Sequence, residues 1–296
     1  MPNDTPNIRL TFADRSVLVT GGGRGLGLAY ARTMGRLGAT VLLHDVGADG
    51  DGGGTDPTVA AEAATTLRDE GIDAHPFDEP IDTRDGCHAL VGAAHAVCGR
   101  LDAIVHNAGW VAYEPIEELR EASFDAMMAV AAKAPLWLAQ AAWPHMIAAG
   151  YGRIVLTSSC RALFPQYVQD GLASYAAAKA AVVGIANVLA SEGAEHGIVV
   201  NVVSPVAKTR MWGVEGEPDN LHPEAVAPGV AFLASHLCTE GGWVLRAANG
   251  QFHATRAMEA EGVDYPVDLR APTAATVAEV TAAWDSIAVA AVEPRA

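Results

Sequence analysis

The stretch Tyr175-Ala-Ala-Ala-Lys179, with Ser159 upstream, has the residue types and spacing for acid–base chemistry on an alcohol. A tyrosine and a lysine four residues apart lie on one face of a helix. Beside a bound nicotinamide, the ammonium would lower the pKa of the phenol from about 10. The Ser159 hydroxyl would hold the substrate oxygen. Together these groups suit reversible hydride transfer between an alcohol and a dinucleotide, but a Tyr–Lys pair alone occurs by chance on many helices.

A glycine-rich turn earlier in the chain supports a catalytic role for the Tyr175–Lys179 pair. Residues 20–27 directly follow one predicted strand and open a predicted helix. Their glycines form G-x-x-x-G-x-G, not the better-known G-x-G-x-x-G. Residues without a Cβ allow a tight turn and let a pyrophosphate approach the helix N-terminus closely. We therefore predict a dinucleotide site that includes Gly21, Arg24, Gly25, Leu26 and Gly27.

Asp45 ends the next predicted strand, where a carboxylate accepts hydrogen bonds from the adenosine ribose. A carboxylate there repels a 2′-phosphate, so Asp45 predicts NAD rather than NADP. Arg24 argues the other way, because a basic residue in the glycine turn can assist a 2′-phosphate. Asp45 carries more weight, since no Arg or Lys follows it before Arg68.

Small residues end the fourth predicted strand. Asn107, Ala108 and Gly109 would let the cofactor lie flat across the sheet edge, although the same tripeptide also suits a simple turn. After the third strand, Asp78 or Glu79 is predicted to meet the adenine region. The spacing leaves the choice between these two residues open.

The chain alternates short β-branched runs with longer alanine-rich periodic segments, which is typical of βαβ units. The predicted strands are Ser16–Thr20, Thr40–Asp45, Ala74–Phe77, Leu101–His106, Arg153–Ser158, Ile198–Val203 and Trp243–Arg246. The predicted helices are Leu26–Leu37, Thr58–Glu70, Arg84–Cys98, Ser123–Ala148, Ala173–Glu195, Pro223–Ser235 and Thr273–Ile287. The expected fold is α/β: a doubly wound parallel sheet of Rossmann type with helices on both faces.

We expect one domain with two appendages. Residues 1–10 look like a loose N-terminal tail, residues 11–250 form the dinucleotide-binding domain, and residues 251–296 form a C-terminal extension packing on the same domain. Gly47–Pro57 is a long loop of glycines and aspartates after the second strand.

Composition limits the partners. The formal charge of −16 argues against nucleic acid and anionic membrane surfaces, and suits a small-molecule substrate. The longest apolar stretch, Ala180–Ala190, is too short to cross a bilayer. Four cysteines without Cys-x-x-Cys spacing and a start without signal-peptide character predict a cytoplasmic protein. The ten histidines lack metal-ligand spacing, so no metal is predicted.

The glycine turn, Asp45, Asn107–Gly109, Ser159 and Tyr175–Lys179 follow one another as in the short-chain dehydrogenase/reductase family, which the chain resembles over about residues 10 to 250. The resemblance implies that Ser159 positions the substrate oxygen, Tyr175 is the acid/base, and Lys179 binds nicotinamide ribose and tunes Tyr175. It also implies a structural role for Asn201 and cofactor contacts from Pro205, Val206 and Thr209.

A narrower resemblance concerns one branch of that family. His44–Gly47, Ala142–Met146, Tyr151–Val155 and Ser204–Met211 look like the (3R)-hydroxyacyl-CoA dehydrogenase part of the peroxisomal β-oxidation multifunctional enzyme. This likeness implies NAD, a secondary alcohol as the group oxidised, and a homodimer or homotetramer. It implies less about the substrate than about the fold.

Two departures from the family pattern concern the site. Ala131 stands where the family usually has an asparagine that completes the proton relay. The loop between Ser159 and Tyr175 is a few residues longer than usual, so Phe164 and Tyr167 are candidates for a substrate wall. Plain surface elaboration of that loop fits the sequence equally well.

The sequence leaves the substrate open. A 3-hydroxyacyl thioester of coenzyme A would need a basic patch, which Arg161, Lys208, Arg210 and Arg246 would supply if they converge. The expected substrate lid carries the apolar Met211 and Trp212, which favours a hydrophobic or cyclic alcohol. The alternative function is a dinucleotide-binding sensor with weakened catalysis, which Ala131 favours and the intact Ser159, Tyr175 and Lys179 oppose.

Overall fold

Runs of valine, leucine and isoleucine form the strands of a single eight-stranded sheet in the described chain, with the order β3-β2-β1-β4-β5-β6-β7-β8. The computed structural model describes residues 10–208, 220–259 and 261–288. The strands are β1 Ser16–Thr20, β2 Thr40–His44, β3 Ala74–Phe77, β4 Ala103–His106, β5 Gly152–Thr157, β6 Ile198–Val206, β7 Val244–Ala248 and β8 Gln251–Thr255. The first seven pair in parallel and β8 pairs antiparallel with β7.

Helices connect the parallel strands, as a parallel sheet requires. They are α1 Gly25–Arg36, α2 Thr58–Asp69, α3 Arg84–Cys98, α4 Glu121–Met128, α5 Ala134–Ala149, α6 Cys160–Leu163, α7 Ala173–Gly193, α8 Ala227–Leu233 and α9 Val277–Ile287. A π-helical turn, Ala129–Lys133, joins α4 to α5. The predicted α/β, doubly wound fold is confirmed.

Both faces of the sheet are buried, because successive strand residues point to opposite sides. Val17 and Val19 of β1 pack into the apolar layer that contains α1, α2 and α8. Leu18, between them, packs into the layer that contains α3, α5 and α7. Strand order reverses between β1 and β4, where open α/β sheets bind their ligands.

The C-terminal end of the sheet differs from the predicted elements. The strand β8, residues Gln251–Thr255, was missed because four of its five residues are exposed and form no hydrophobic run. Asn249 and Gly250 have φ of 50° and 75°, so they form the tight turn of a hairpin. This Asn-Gly pair was the available signal.

The predicted helix Ser123–Ala148 is interrupted by the π-helical turn. Pro135 has no N–H to donate to the carbonyl of Ala131. The N–H of Ala134 instead donates to the carbonyl of Ala129, five residues earlier. The proline therefore accounts for the turn, which places a widened stretch of backbone beside the end of β4.

By length and composition alone, one helical segment in the described chain could cross a membrane. It is Ala173–His196, with 24 residues and a mean hydropathy of 1.4. This segment is longer than the apolar stretch Ala180–Ala190 that the sequence analysis identified. In the fold, α7 packs against β6 and carries Tyr175 and Lys179.

Contacts divide the chain into the units Met1–Thr255 and Arg256–Ala296, so the first unit extends through β8. In the second unit, α9 begins after Thr276, later than the predicted Thr273. The Thr276 hydroxyl accepts from the N–H of Glu279, and the Glu279 carboxylate accepts from the N–H of Thr276. This capping box fixes the start of the helix.

Gly27→Ala is expected to abolish dinucleotide binding, because a Cβ at residue 27 would lie 1.9 Å from the carbonyl oxygen of Gly21. The turn and α1 would have to move apart. The control is Gly92→Ala, also inside a helix, where a Cβ meets nothing within 4 Å. That change should stabilise the protein by up to about 1 kcal/mol. NADH titration and thermal denaturation of both variants test this, and unchanged NADH affinity in Gly27→Ala would contradict it.

Candidate active site

A cleft of about 630 Å³ opens at the carboxyl ends of β1, β2 and β4, next to the point where strand order reverses. It runs from the loop after β2 to Gly109, Trp110 and the π-helical turn. Its lining includes most of the predicted cofactor residues: Gly21, Arg24, Gly25, Leu26, Asp45, Asn107, Ala108 and Gly109. Gly27 is buried and packs against Gly21 and Asn107 of this lining.

The glycine turn leaves no room for side chains. Gly21 has a φ of 61°, and a Cβ there would lie 2.8 Å from the Cα of Ala108. The side-chain amide of Asn107 donates to the Gly21 carbonyl at 3.1 Å. The turn is therefore held directly against the end of β4, and Asn107 holds the turn itself.

Thr20 and His106 lock the ends of β1 and β4 together. The Thr20 hydroxyl oxygen lies 3.2 Å from the N–H groups of Asn107 and Ala108, and 2.9 Å from Nδ1 of His106. Nε2 of His106 lies 3.1 Å from the carbonyl oxygen of Val130 in the π-helical turn. A neutral imidazole with its proton on Nε2 satisfies both contacts.

His106 stays neutral at working pH. Burial and then the charge of Lys179 lower its pKa to about 3. His106 thus fixes the π-helical turn relative to the cleft without adding charge. The sequence interpretation missed this residue; a histidine ending a buried strand, beside a threonine that ends its neighbour, was the available signal.

Asp45 holds the loop around the ribose end of the cleft. One carboxylate oxygen accepts from the N–H of Gly23 at 2.9 Å, and the other accepts from the N–H of Gly47 at 2.8 Å. Each oxygen keeps a lone pair for a further donor. Asp45 therefore both organises the turn and presents negative charge to the cleft.

The loop Gly47–Pro57 folds over the cleft. Asp49 accepts backbone N–H groups from Asp51 and Gly53, and this compacts the loop. Gly52 lies against the ring of Trp110, so that a Cβ there would be 2.4 Å from the ring. Gly52 thus allows close packing against Trp110, whereas a Cβ at Gly50 or Gly54 would meet nothing within 4 Å.

Arg24 lines the cleft near acidic groups. Hydrogen bonds from Thr58 lower the pKa of Asp56, and the positive charge of Arg24 contributes in the same direction. Arg24 therefore stays a candidate for contacting a cofactor phosphate.

Beyond the end of β3, the cleft is lined by Pro80, Ile81 and Asp82. Asp78 is exposed one residue after β3 and does not line the cleft. The contact of Asp78 with the adenine region stays a prediction.

Lys179 is a buried cation next to Gly109. Its Nζ donates to the Thr157 carbonyl at 2.9 Å and lies 3.7 Å from where a Cβ of Gly109 would stand. Burial lowers the pKa of Lys179 to about 8. Thr157 was not singled out from sequence, although it directly precedes the two serines.

Ser159 and Tyr175 meet beside Lys179. Nζ of Lys179 lies 5.8 Å from the centroid of the Tyr175 ring. We predicted that Lys179 lowers the pKa of Tyr175. In the structure burial raises the pKa of Tyr175, and a hydrogen bond with Ser159 and the charge of Arg161 oppose that rise. The three residues lie together beyond the cleft lining, at its Gly109 end.

Ala131 lies in an apolar cluster with Met127, Ala132 and Ala178, against which Tyr175 packs. Its methyl group cannot hold a relay water. The nearby Val130 carbonyl already accepts from His106.

The loop after β5 forms a wall with aromatic residues. Phe164 and Tyr167 contact edge to face with centroids 6.2 Å apart. The guanidinium of Arg246 in β7 stacks on both, 4.7 Å from the Phe164 ring and 5.7 Å from the Tyr167 ring. These contacts order the loop, and its role as a substrate wall stays a prediction.

The remaining predicted residues lie on or near β6. Pro205 and Val206 are its half-buried last residues, outside the cleft lining. Asn201 is buried and bonds the Glu240 carbonyl and the Trp243 N–H, which fits a structural role. Thr209, Arg210, Met211 and Trp212 lie outside the described residues.

A parallel sheet with a glycine turn at its strand-order reversal defines a dinucleotide-binding protein of Rossmann type. Residues 15–219 match the family model for short chain dehydrogenases. The chain belongs to the short-chain dehydrogenase/reductase family and is an oxidoreductase enzyme of the kind that binds a nicotinamide dinucleotide.

Three relatives illustrate the range of similarity. A putative short-chain type dehydrogenase/reductase of Mycobacterium tuberculosis is 32% identical over 93% of this chain and 94% of its own. The peroxisomal multifunctional enzyme type 2 of Mus musculus is 34% identical over 81% of this chain, which spans only 32% of that enzyme. A cis-4-hydroxycyclohexanecarboxylate dehydrogenase of Sinomonas cyclohexanicum is 32% identical over 82% of this chain and 98% of its own. The predicted likeness to the multifunctional enzyme is confirmed.

Two solved structures share the fold. A short chain dehydrogenase from Mycobacterium avium has a TM-score of 0.78 and 29% identity, covering 94% of this chain and 95% of its own. A metagenomic short-chain oxidoreductase in complex with NADP has a TM-score of 0.64 and 31% identity, covering 75% of this chain and 91% of its own.

Lys179→Met is expected to stabilise the protein while abolishing turnover. The fall in the pKa of Lys179 from 10.5 to about 8 means that its charge costs roughly 3 kcal/mol in the folded state. The lost hydrogen bond to Thr157 offsets about 1 kcal/mol of the gain. Because the pKa is depressed, the full cost applies below pH 8 and disappears as pH rises towards 10.5.

Denaturation at pH 7 and pH 10 checks this expectation, with the exposed Lys133→Met as the control that changes little. The gain of Lys179→Met should shrink at pH 10. A variant less stable than the wild type at pH 7 would show that the buried cation is net stabilising.

Proposed function

We propose that the enzyme interconverts a secondary alcohol and a ketone with NAD(H). The observation that carries this proposal is the cluster of Ser159, Tyr175 and Lys179 beside Gly109, at the end of the dinucleotide cleft. A protein that only bound a dinucleotide would need no such group of proton-transfer residues at the cleft end.

In this proposal Ser159 donates a hydrogen bond to the substrate oxygen. Tyr175 removes the hydroxyl proton during oxidation and returns it during reduction. Lys179 binds the ribose hydroxyls next to the nicotinamide and stabilises the tyrosinate. The cofactor supplies the hydride acceptor or donor. Its positive charge in the oxidised form, together with Arg161, would oppose the effect of burial on the pKa of Tyr175.

We propose NAD over NADP. Asp45, Asp49 and Asp82 line the adenosine half of the cleft, where a 2′-phosphate would meet their negative charges. Arg24 is one positive charge in the same lining, against these three carboxylates. The similar metagenomic enzyme binds NADP, so the preference rests on the carboxylates of this chain.

Two substrate classes remain candidates. The name of the Sinomonas relative supports a cyclic alcohol, and that of the mouse relative supports a 3-hydroxyacyl thioester. The aromatic wall of Phe164 and Tyr167 fits a compact apolar ring. A cyclic alcohol is therefore our first choice.

Ala131 favours a second function, a dinucleotide-binding sensor with weak catalysis. The relay position is apolar in this chain, and Tyr175 packs against that cluster. A slow proton exit from Tyr175 would limit turnover without weakening cofactor binding.

We further propose a cytoplasmic homodimer or homotetramer. Membership of the short-chain dehydrogenase family, whose members are commonly oligomeric, supports this assembly. Sedimentation analysis measures the assembly directly.

Tyr175→Phe is expected to reduce alcohol oxidation by about 10²- to 10⁴-fold with NADH affinity retained, because only the proton-transfer hydroxyl is lost. Tyr151→Phe is the control, since that phenol ring packs on Arg15 and Arg153 just before β5, at the strand end opposite the cleft. Steady-state assays and NADH titration check both. A wild type that turns over nothing across a broad alcohol and ketone panel supports the sensor.

The wild type should prefer NAD, and Asp45→Asn should shift the NADP-to-NAD ratio of kcat/KM by about tenfold or more towards NADP, because a charge near the 2′-phosphate is removed. Asp69→Asn, at the exposed end of α2 and outside the cleft lining, should leave the ratio unchanged. A wild type that prefers NADP would refute the role given to Asp45.

A further inference from the structure

Two arginines have different surroundings near the segment that follows β5. Arg161 belongs to that segment, and Arg246 contacts it from β7. Arg246 stacks on Phe164 and Tyr167, so its charge is engaged by aromatic faces. Arg161 makes its one side-chain hydrogen bond within the described chain to Tyr113, and neither arginine pairs with a carboxylate there. An arginine without an acidic partner is unusual beside the reacting groups of a chain with a net charge of −16.

Backbone geometry fixes Arg161 next to the reacting groups. Its N–H donates to the Ser159 hydroxyl oxygen at 3.3 Å in the first turn of α6. Its Nη1 donates to the Tyr113 hydroxyl oxygen at 2.5 Å, and that hydroxyl donates to Oε1 of Gln169 at 3.1 Å. The guanidinium therefore lies between the loops that follow β4 and β5, and it retains several free donors.

The charge of Arg161 reaches the phenol of Tyr175. It opposes the rise in the pKa of Tyr175 that burial causes. A substrate whose hydroxyl contacts Tyr175 would therefore also experience the positive charge of Arg161. Asp45, Asp49 and Asp82 thus line the cleft at its proposed adenosine end, and Arg161 lies beside Ser159, near the proposed reacting groups.

We propose that Arg161 is the anion-binding residue of the substrate pocket, and that the substrate is a hydroxy acid or keto acid with its carboxylate close to the reacting carbon. This inference rests on the proposed alcohol–ketone chemistry. The planar guanidinium fork matches a carboxylate in two parallel hydrogen bonds. No sequence motif marks Arg161, because its role depends on the fold around Ser159.

The position of Arg161 favours a substrate carboxylate over the phosphates of coenzyme A as the anion that it binds. The phosphates of an acyl thioester lie far along the carrier from the reacting carbon, whereas Arg161 is two residues from Ser159. Near its hydroxyl, a thioester presents a neutral carbonyl. Arg246, the other cation on this wall, is stacked on rings.

A purely structural role for Arg161 makes a different prediction. If Arg161 only holds Tyr113 in place, then Tyr113→Phe and Arg161→Gln should change probe binding alike. Tyr113→Phe removes that hydrogen bond and keeps the charge of Arg161. If Arg161 binds the substrate anion, only Arg161→Gln should lose anion binding, and Arg161→Lys should recover part of it, since lysine keeps the charge without the fork.

The test measures equilibrium binding to the NADH-saturated protein by calorimetry, with cyclohexanecarboxylate and its uncharged isostere cyclohexanecarboxamide as probes. The wild type and Tyr113→Phe should bind the acid more tightly than the amide. Arg161→Gln should lose about 10- to 100-fold in affinity for the acid and little for the amide. Near-ultraviolet circular dichroism verifies that each variant is folded.

Equal binding of acid and amide by the wild type would overturn the proposal, as would equal losses for both ligands in Arg161→Gln. A third probe, the 3-hydroxybutyryl thioester of N-acetylcysteamine, is neutral. If Arg161→Gln weakens this ligand as much as the acid, Arg161 binds a carbonyl and the carboxylate proposal is wrong.

Failure of the proposed function gives a different result. In that case no alcohol in the panel is oxidised by the wild type, whereas the preference for acid over amide in the binding experiment is unaffected. In the converse case, the wild type oxidises neutral alcohols while Arg161→Gln changes the affinity of neither probe. That result keeps the oxidoreductase proposal and rejects the role of Arg161.

Discussion

The hydrogen bonds of Thr20 to the end of β4 are the constraint on which the rest of the site depends. One hydroxyl meets two backbone N–H groups and Nδ1 of His106, and Asn107 bonds the Gly21 carbonyl. These contacts bring β1 and β4 together where strand order reverses. They leave space for backbone but none for a Cβ at Gly21, so the cleft is bounded by bare peptide groups that a pyrophosphate can approach.

His106 connects these contacts to the part of the fold that supports Tyr175. Its neutral ring joins Thr20 to the Val130 carbonyl, which belongs to the π-helical turn that Pro135 imposes. The next residue, Ala131, packs in the apolar cluster that supports Tyr175. A polar bridge on one side of this turn and an apolar contact on the other therefore position the helix that carries the phenol, without the asparagine that the family usually has there.

Charge is divided between the two ends of the site. Carboxylates line the adenosine end, and Asp45 also organises the glycine turn there. Lys179 and Arg161 lie at the other end, where burial lowers the pKa of Lys179. A dinucleotide lying across the cleft would have its adenosine near negative groups and its reactive ring near positive ones. The proposals for cofactor choice and for substrate binding therefore rest on different residues.

Sequence alone determined the elements and the order of the motifs, because strand hydrophobicity, glycine turns and the Tyr175–Lys179 spacing are local properties of the chain. The seven parallel strands and the cofactor cleft were predictable for that reason. Contacts between distant segments were decided only by the tertiary structure: the His106 bridge, the β8 hairpin, the exposed position of Asp78, and the separate surroundings of Arg161 and Arg246. The partner of a charge and the depth of its burial depend on long-range packing, which no local pattern encodes.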